Sequence, residues 1–345
     1  MRQHHSSADI SKRKEDHIRI NLEENVRSGL TNGLEKFHFI HQALPEMDLK
    51  DVDTTTTFLE KKLKIPILLS SMTGGTARGS IINSNLARSA EEMGIALGLG
   101  SVRAAFEDQE TVNSFQVRKI APSALILANL GAVQLNYSYT IEHCLRAMDM
   151  TQADGLILHL NPLQEALQPE GNTDFSSLLK KIEGICNLER FPVIIKEVGW
   201  GISAELAKKL GDAGVSAIDV AGAGGTSWSQ VEKHRMKEKK LIQIAEAFTD
   251  WGIPLVDSLI QVREAVPQMP IIASGGLNNG VDLAKCIALG ANLGGFARTI
   301  LSAALTSYEE TLEIIEIIST QLRIAMFSSG IKNIDQLGKT SLVMD

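Results

Sequence analysis

The chain has 345 residues, enough for one large domain or two smaller ones, and 44% of them are hydrophobic, as in an ordinary soluble globular protein. Its formal net charge of −7 excludes a generally basic surface for nucleic acid, so an anionic ligand has to meet a local cluster of cations. No apolar run approaches the roughly 20 residues that span a bilayer, and the polar N-terminus lacks the apolar segment of a secretory signal. We therefore expect a cytoplasmic protein with no membrane span and no nucleic-acid partner.

The three cysteines give no sign of a disulfide or a metal site. Cys144, Cys186 and Cys286 are odd in number and far apart, and they form neither a CxxC pair nor a zinc-ligand spacing. We interpret them as buried, reduced thiols.

Residues 1–60 are predicted to form an N-terminal extension with one β element. Residues 1–10 are expected to be mobile, and Ser11 can cap a short helix that follows. Residues 22–42 are predicted to be mostly helix or loop. The threonine-rich, β-branched run within residues 52–69 predicts a short strand and a lysine-bearing turn that lead into the first main strand.

The first predicted helix carries three groups that can bind anions. At helical spacing Arg13 and Lys14 share a surface with His17, which gathers three such groups on one patch. The alternative is a solvated first turn of mixed charge, because Glu15 and Asp16 lie among them. If the patch binds substrate, we expect the segment to become ordered on binding.

A repeat of strand and helix patterns follows this extension. The predicted strands are residues 65–70, 95–100, 124–129, 155–160, 192–198, 217–221, 270–274 and 293–297. The clearest helical stretches between them are residues 83–93, 140–151, 175–186, 203–213 and 281–289. Strands that are apolar on both faces and alternate with helices are typical of a parallel sheet.

One apolar run, residues 253–259, could be counted as a ninth strand. It continues without a turn signal, and Pro254 suits the first position of a helix, so we predict a helix over 254–266. Eight βα units in residues 61–300 then predict a (β/α)8 TIM barrel, an α/β fold. A doubly wound open sheet is the alternative.

Two further segments complete the predicted architecture. Residues 226–252, with the charge run 232–240, predict a loop with a helix above the barrel mouth. Residues 308–326 predict a long amphipathic helix within the C-terminal helices of 301–345. No low-complexity linker interrupts the chain, so residues 1–345 are predicted to form one domain.

Polar and glycine-rich residues follow the predicted strands at their C-terminal ends, where function sits in a barrel of this type. These ends read Ser71-Met72-Thr73-Gly74-Gly75, Ser101-Val102-Arg103, Asn129, His159 to Glu165 (HLNPLQE), Lys196, Gly222 to Trp228, Ser274-Gly275-Gly276 and Ala297-Arg298. Each alone is explained by an ordinary turn or a structural contact, but eight such ends on one rim indicate a site.

Two phosphate-like sites are predicted on this rim. Backbone N–H groups freed by Gly275 and Gly276, together with Arg298, predict a phosphate after strands 7 and 8. Arg103 and His159, with the basic residues of the N-terminal segment, predict a second anion site.

Two charged residues within the site need a partner. Lys196 lies in an apolar strand, where a cation costs several kcal/mol unless a negative group is near. It could form a Schiff base, face an anionic cofactor ring, or pair with a buried carboxylate. Glu165 would repel an anionic ligand unless a divalent cation bridged them, and Mg2+ commonly does so.

Taken together, these motifs resemble one family over nearly the whole chain. They are RKEDHI (13–18), SMTGG (71–75), GSVR (100–103), NLG (129–131), HLNPLQE (159–165), KEVGWG (196–201), AGAGGTSW (221–228), SGG (274–276) and AR (297–298). The chain resembles the type 2 isopentenyl-diphosphate isomerases, which use FMN. HLNPLQE and GAGGTSW carry most of the specificity, because the glycine motifs alone are common.

The resemblance implies roles for individual residues. FMN would be bound by Ser71, Met72, Thr73, Ser101, Asn129, Lys196, Ala221, Thr226, Gly275, Gly276, Ala297 and Arg298. The substrate diphosphate would be bound by Arg13, Lys14, His17, Ser101, Arg103 and His159. Gln164 would reach the isoprenoid end of the substrate, Glu165 would hold Mg2+, and Gln164, His159 and Lys196 would be the catalytic residues.

The resemblance also implies an activity. The family interconverts isopentenyl and dimethylallyl diphosphate in isoprenoid biosynthesis, with reduced FMN, NADPH as the reductant, Mg2+, and proton transfer at flavin N5. Its members are commonly homo-oligomers, tetramers or octamers.

Two alternatives are weighed against this activity. An FMN-dependent barrel oxidoreductase of the hydroxy-acid oxidase kind would need a histidine base and an arginine after strand 7, where this chain reads SGGLNNG. A non-catalytic flavin- or phosphate-binding protein would have no need of the Gln164–Glu165 pair or the basic N-terminal cluster, both of which are present.

Three positions depart from the family pattern. Val102 stands where glutamine is usual, which predicts the loss of a substrate contact. Ala221 replaces a serine that commonly contacts FMN, and Asn278 replaces a common arginine. We expect these changes to alter the affinity for flavin and diphosphate more than the reaction.

Overall fold

A computed structural model describes residues 7–345 of the chain, with side chains from Lys12 onward. Its centre is a closed barrel of eight parallel strands. These are β1 (Ile67–Leu69), β2 (Ala96–Gly98), β3 (Leu125–Gly131), β4 (Gly155–Leu160), β5 (Val193–Glu197), β6 (Ala217–Asp219), β7 (Ile271–Ser274) and β8 (Leu293–Phe296). Each strand pairs with the next, and β8 pairs with β1. The predicted (β/α)8 barrel is confirmed, and the doubly wound sheet is wrong.

Helices surround the barrel. Within residues 7–345 they are Ser7–Glu23, Ala77–Met93, Arg103–Glu107, Ile141–Thr151, Pro162–Leu167, Leu178–Cys186, Ala204–Asp212, Trp228–Arg235, Lys239–Glu246, Leu255–Ala265, Gly280–Ala288, Arg298–Thr306, Tyr308–Ser328 and Ile334–Leu337. The run with Pro254 is a helix, as predicted, and the proline stands at its N-cap. The long C-terminal helix Tyr308–Ser328 packs on Gly280–Ala288 and Ala77–Met93. None of the described helices has the length and apolar character needed to cross a bilayer.

A β-hairpin closes the N-terminal end of the barrel. Thr56–Phe58 and Lys61–Leu63 pair antiparallel, and Phe58 packs with the apolar side chains inside the barrel. The prediction of one short strand with a lysine-bearing turn is therefore wrong. The turn consists of Leu59 and Glu60, which adopt positive φ angles of 47° and 64° without a glycine to signal it.

The N-terminal helix lies across the opposite end, the mouth. It begins at Ser7, so Ser11 lies inside it and does not cap it, and residues 7–10 belong to the helix. The prediction for residues 1–6 falls outside the described residues. Ile20 packs with Val231 of the helix Trp228–Arg235, which holds the extension on the barrel. Between this helix and the hairpin, the chain forms two short 3-10 turns, Leu34–Lys36 and Leu49–Asp51, and the strand Phe37–His38, which pairs with Val343–Met344.

The inside of the barrel changes from apolar to polar toward the mouth. Leu68, Ala96, Leu125, Leu127, Ile157, Ile194, Ala217, Ile272 and Leu293 form the apolar layer. Two residues further along their strands, on the same face, stand Asn129, His159, Lys196, Asp219 and Ser274. Cross-strand register sets His159 beside Lys196 and Lys196 beside Asp219. In these five strands the last inward-facing residue thus lies at or directly beneath the site.

None of the three cysteines lines the cavity, and two of them are buried as predicted. Cys144 and Cys286 are buried, Cys186 is half-buried, and all three are free thiols. Burial raises the pKa of Cys144 to about 12 and that of Cys186 to about 11, so neither thiol is reactive at neutral pH.

Candidate active site

A cavity of about 550 Å3 opens at the mouth of the barrel. Its volume is within the roughly 300–1,000 Å3 that is typical of small-molecule sites. The barrel and its loops line it with Ser71, Met72, Thr73, Ser101, Arg103, Asn129, His159, Gln164, Glu165, Lys196, Ala221, Thr226, Gly275, Gly276, Ala297 and Arg298, and the N-terminal helix adds Arg13, Lys14 and His17. The structure therefore brings together every residue that the resemblance assigned to flavin, substrate or metal.

Lys196 both lines the cavity and pairs with a buried carboxylate. Its Nζ lies 2.7 Å from Oδ2 of Asp219, which is fully buried, and donates to Oγ of Ser274 at 3.2 Å. The Ser274 hydroxyl donates in turn to Oδ1 of Asp219 at 2.6 Å. A lysine held in this ion pair carries the charge that a Schiff-base nucleophile has to lose, so the geometry favours a cation facing a ligand.

His159 is held as a neutral imidazole on the floor of the cavity. Burial and the charge of Lys196 lower its pKa to about 4. Its Nδ1 lies 2.8 Å from Oδ1 of Asn129, and with that oxygen as the acceptor the ring proton is on Nδ1. Nε2 is then left as an acceptor until a bound anion favours its protonation.

The basic residues of the N-terminal helix face the cavity, so the alternative of a solvated first turn is wrong. Lys14 donates from Nζ to the carbonyl oxygens of Gly74 at 2.6 Å and Ser101 at 3.1 Å. Burial and the neighbouring charges of Arg13 and Arg103 lower the pKa of Lys14 to about 7. The cluster is therefore short of negative charge, as expected of an anion site.

Glu232 connects the N-terminal helix to the segment that follows β4. Its carboxylate accepts hydrogen bonds from Nε2 of His17 at 3.0 Å, Nε2 of Gln164 at 3.0 Å and Nη1 of Arg235 at 2.5 Å. Burial alone would raise its pKa, but the contact with His17 and the charge of Arg235 hold the pKa well below its usual range. Glu232 is thus a buried anion directly behind Gln164.

Sequence reasoning does not assign Glu232 to the site, because Glu232 opens the charge run 232–240 of a segment predicted to be a loop with a helix above the barrel mouth. One signal was available in the sequence. Glu232 follows Trp228 of the GAGGTSW motif by four residues, so the two share a helix face. Trp228 lines the cavity and its ring meets that of His17 edge-on.

Asn161 fixes the polar end of the HLNPLQE loop. Its Nδ2 donates to Oε1 of Gln164 at 3.1 Å and to Oε1 of Glu165 at 3.0 Å. The backbone N–H of Asn172 donates to Oε2 of Glu165 at 2.6 Å. No group of three or more histidine, cysteine, aspartate or glutamate side chains in the described residues could hold a metal ion. Any metal at Glu165 would therefore take its other ligands from a bound molecule and water.

Several polar atoms of the cavity wall are buried without a hydrogen-bond partner. They are Oγ of Ser70 and Ser71, Oγ1 of Thr73, Oδ1 of Asn161 and Nη1 of Arg298. Buried polar atoms in native proteins are nearly always paired, so a polar ligand is needed to satisfy these. The residues assigned to FMN fit such a group, because they combine unpaired hydroxyls, the cation of Lys196 and a glycine turn.

The three departures from the family pattern have different structural contexts. Val102 is fully buried in the core and does not line the cavity, so it offers no substrate contact. Ala221 lines the cavity with a positive φ of 38° and presents a methyl group. Asn278 also lines it, and its Nδ2 donates to the carbonyl oxygen of Gly276 at 2.9 Å.

Comparison with known proteins places the chain in a family. Residues 133–344 match the family model described as FMN-dependent dehydrogenase. The chain is 51% identical over 330 residues to the isopentenyl-diphosphate delta-isomerase of Rickettsia africae (strain ESF-5), with 96% of each chain covered. It is 49% identical over 332 residues to that of Nostoc sp. (strain PCC 7120), with 96% of this chain and 95% of the relative covered. The chain belongs to the isopentenyl-diphosphate delta-isomerase family.

Membership in the isopentenyl-diphosphate delta-isomerase family confirms the prediction made from the motifs, and the matched model adds dependence on FMN. Among solved structures, mandelate oxidase with (S)-2-phenylpropionate is similar, with a TM-score of 0.67, 18% sequence identity and 99% of each chain covered. At that identity the likeness shows a common barrel fold. It carries no argument for a shared reaction.

Proposed function

We propose that this enzyme interconverts isopentenyl and dimethylallyl diphosphate in isoprenoid biosynthesis, with reduced FMN as acid–base cofactor and Mg2+ at the diphosphate. The observation that carries the proposal is one cavity with two cationic groups, one around Arg13, Lys14 and Arg103 and one at Arg298 beside a glycine turn. Two such groups suit two phosphorylated molecules bound together. Family membership supports the identity of both molecules.

The flavin site would use the inner wall and the strands β7 and β8. Lys196 would face the N1 side of the ring, and Gly275, Gly276 and Arg298 would bind the phosphate. Reduced FMN would supply, when bound, the group that gives and takes a proton at the substrate double bond.

The diphosphate would be bound by the cationic cluster under the N-terminal helix. Arg13, Lys14, His17, Ser101, Arg103 and His159 would contact it. The negative charge of a diphosphate beside Lys14 would favour the ammonium form of its side chain. Glu165 would bind Mg2+, with the diphosphate oxygens and water as the other ligands.

The side chains around the isoprenoid end are suited to positioning. Protonation of an unactivated alkene needs an acid of suitable pKa, and Glu232 and His159 both have lowered pKa values. The Gln164 amide does not titrate, but Glu232 and Asn161 fix its direction. Gln164 would therefore orient the reacting carbons.

The hydroxy-acid oxidase alternative is not favoured by the cavity. After β7 its wall is formed by Ser274, Gly275, Gly276, Leu277 and Asn278, so this wall offers no histidine base and no arginine for a carboxylate. NADPH as reductant, a tetramer or octamer, and a cytoplasmic location rest on the resemblance and stay predictions.

The test is an anaerobic assay with isopentenyl diphosphate, Mg2+ and pre-reduced FMN, with dimethylallyl diphosphate as the product measured. We expect product with reduced FMN, none with oxidised FMN, and much less from Gln164→Ala. Gln268→Ala is the matched control, because Gln268 is exposed and precedes β7 at the far end of the barrel. Absence of product despite bound FMN, with turnover of a 2-hydroxy acid, would favour the oxidoreductase.

A further inference from the structure

The chain that follows the N-terminal helix runs along the glycine loop after β6. Ser227 N–H donates to the Val26 carbonyl at 2.8 Å, and Ser28 N–H donates to the Gly225 carbonyl at 2.8 Å. Between these bonds Arg27 forms an antiparallel bridge with Thr226. The backbone of Arg27 is therefore held beside a residue assigned to the flavin.

This stretch also touches the two elements assigned to the FMN phosphate. Arg298 donates from Nη2 to the Glu24 carbonyl at 3.3 Å. On the other element, Nδ2 of Asn32 donates to the Gly276 carbonyl at 2.8 Å. Gly225 lies so close to Gly276 that a Cβ on it would be 2.6 Å from the Gly276 nitrogen. Arg27 is thus located between the glycine turn and Arg298.

Arg27 is an exposed residue at the edge of the same cavity that Arg298 lines. Neither guanidinium has a carboxylate within salt-bridge distance among the described residues. Burial and the nearby charge of Arg27 lower the pKa of Arg298, and Nη1 of Arg298 is buried without a partner. Two like charges without a counter-charge in one cavity indicate a site for a doubly charged anion.

Beside the glycine turn after β7, the barrel itself provides one cation, Arg298. Asn278 lines the same part of the cavity, but its amide is neutral and donates to the Gly276 carbonyl. Arg298 alone would leave a phosphate dianion with one charge unmatched. Arg27 is positioned to match it.

We propose that Arg27, from the N-terminal extension, is a ligand of the cofactor phosphate and replaces a cation that position 278 does not provide. The inference rests on the proposed use of FMN. It concerns recognition of the phosphate alone, so it predicts discrimination between FMN and riboflavin, which has the same ring without the phosphate.

The experiment is a titration of FMN and of riboflavin into the protein, followed by flavin fluorescence. For Arg27→Gln we expect affinity for FMN about tenfold weaker, the effect of losing one charged hydrogen bond, with riboflavin affinity unchanged. Arg27→Lys should lose less, because it keeps the charge. Arg190→Gln, at an exposed site before β5, should leave both affinities unchanged.

A second-site variant tests the replacement directly. Asn278→Arg in the Arg27→Gln background should restore most of the FMN affinity, because it returns a cation to the same part of the cavity. Unchanged FMN affinity in Arg27→Gln, or equal weakening for riboflavin, would overturn the inference while leaving the proposed function intact. Failure of the unaltered protein to bind FMN at all would overturn both.

Discussion

Gln164 shows how one side chain in this site is oriented by its neighbours. Its Nε2 donates to Glu232 and its Oε1 accepts from Asn161. An ionised carboxylate can only accept hydrogen bonds. If the Gln164 amide were flipped, its oxygen would therefore face the carboxylate oxygen of Glu232. Glu232 is therefore a positioning residue for Gln164, and it ties His17 of the mouth helix to the same point.

Replacing Glu232 tests this arrangement. Glu232→Gln removes the anion that accepts from Gln164, and we expect kcat to fall about tenfold to hundredfold, since hydrogen bonds to charged groups contribute about 1.5–3 kcal/mol. Steady-state kinetics with isopentenyl diphosphate would measure it. Glu238→Gln, an exposed carboxylate six residues further on, is the control and should behave like the unaltered enzyme. Unchanged kcat in Glu232→Gln would contradict the positioning role.

We expect Lys14 to make diphosphate binding depend on pH. Burial and neighbouring charges lower its pKa to about 7, and a bound diphosphate would raise that pKa, so binding above pH 7 would take up a proton. We expect the dissociation constant of diphosphate with Mg2+ to increase as pH rises from 7 to 8.5. Calorimetry at pH 8 in two buffers of different ionisation enthalpy would count the proton. Lys14→Gln should abolish the uptake, and an unaltered protein that binds without uptake would refute the mechanism.

The N-terminal helix is the element that completes the cavity. In its described part only Ile18 and Ile20 are buried apolar residues, whereas Lys14 and His17 hold it by polar contacts. An element with little apolar burial opens at low free energy. We therefore expect its position over the mouth to depend on the charge inside the cavity.

Hydrogen exchange would test this dependence. We expect exchange in residues 11–20 to slow when diphosphate, Mg2+ and FMN are added, because the anion bridges the helix to the barrel. The helix Tyr308–Ser328 packs on Gly280–Ala288 and Ala77–Met93 and contributes no residue to the cavity, so it should show no change. Equal exchange in residues 11–20 with and without the ligands would rule out ordering on binding.

A buried network of side-chain hydrogen bonds joins three strands of the barrel. Lys196 of β5, Asp219 of β6 and Ser274 of β7 bond to one another at the boundary between the apolar layer and the cavity. The pair is buried, so removing one partner costs far more than the pair contributes on balance. This network thus links the stability of the closed barrel to the charge that faces the cavity.

Asp219→Asn should reveal that link. It leaves the Lys196 ammonium without a counter-charge, and we expect the free energy of unfolding to fall by about 3 kcal/mol. Thermal unfolding of the flavin-free protein would show a melting temperature several degrees lower. Asp212→Asn, at an exposed helix end, is the control. The double variant with Lys196→Gln should lose less than Asp219→Asn alone, and an equal or larger loss would refute the unpaired-charge explanation.

Local sequence determined the eight strands and the rim of the site. Apolar runs such as β3 and β4 are too short for helices, and parallel strands in a closed barrel end at one rim, so residues that follow them meet. His159, Gln164 and Lys196 were therefore predictable as neighbours. The hairpin before β1 was not, because Leu59 and Glu60 form its turn without the residues that normally signal one.

Only the tertiary structure decided which side chains stand behind the rim. Asp219 becomes the partner of Lys196 through the register between β5 and β6, and no local pattern encodes inter-strand register. Glu232 comes to lie behind Gln164 from a loop helix, and Arg27 reaches the cavity from the N-terminal extension. Where such segments pack depends on surfaces distant in sequence. From the sequence alone, Glu232 and Arg27 are charged residues that would be expected at the surface. Their packing in the folded chain brings them to the site.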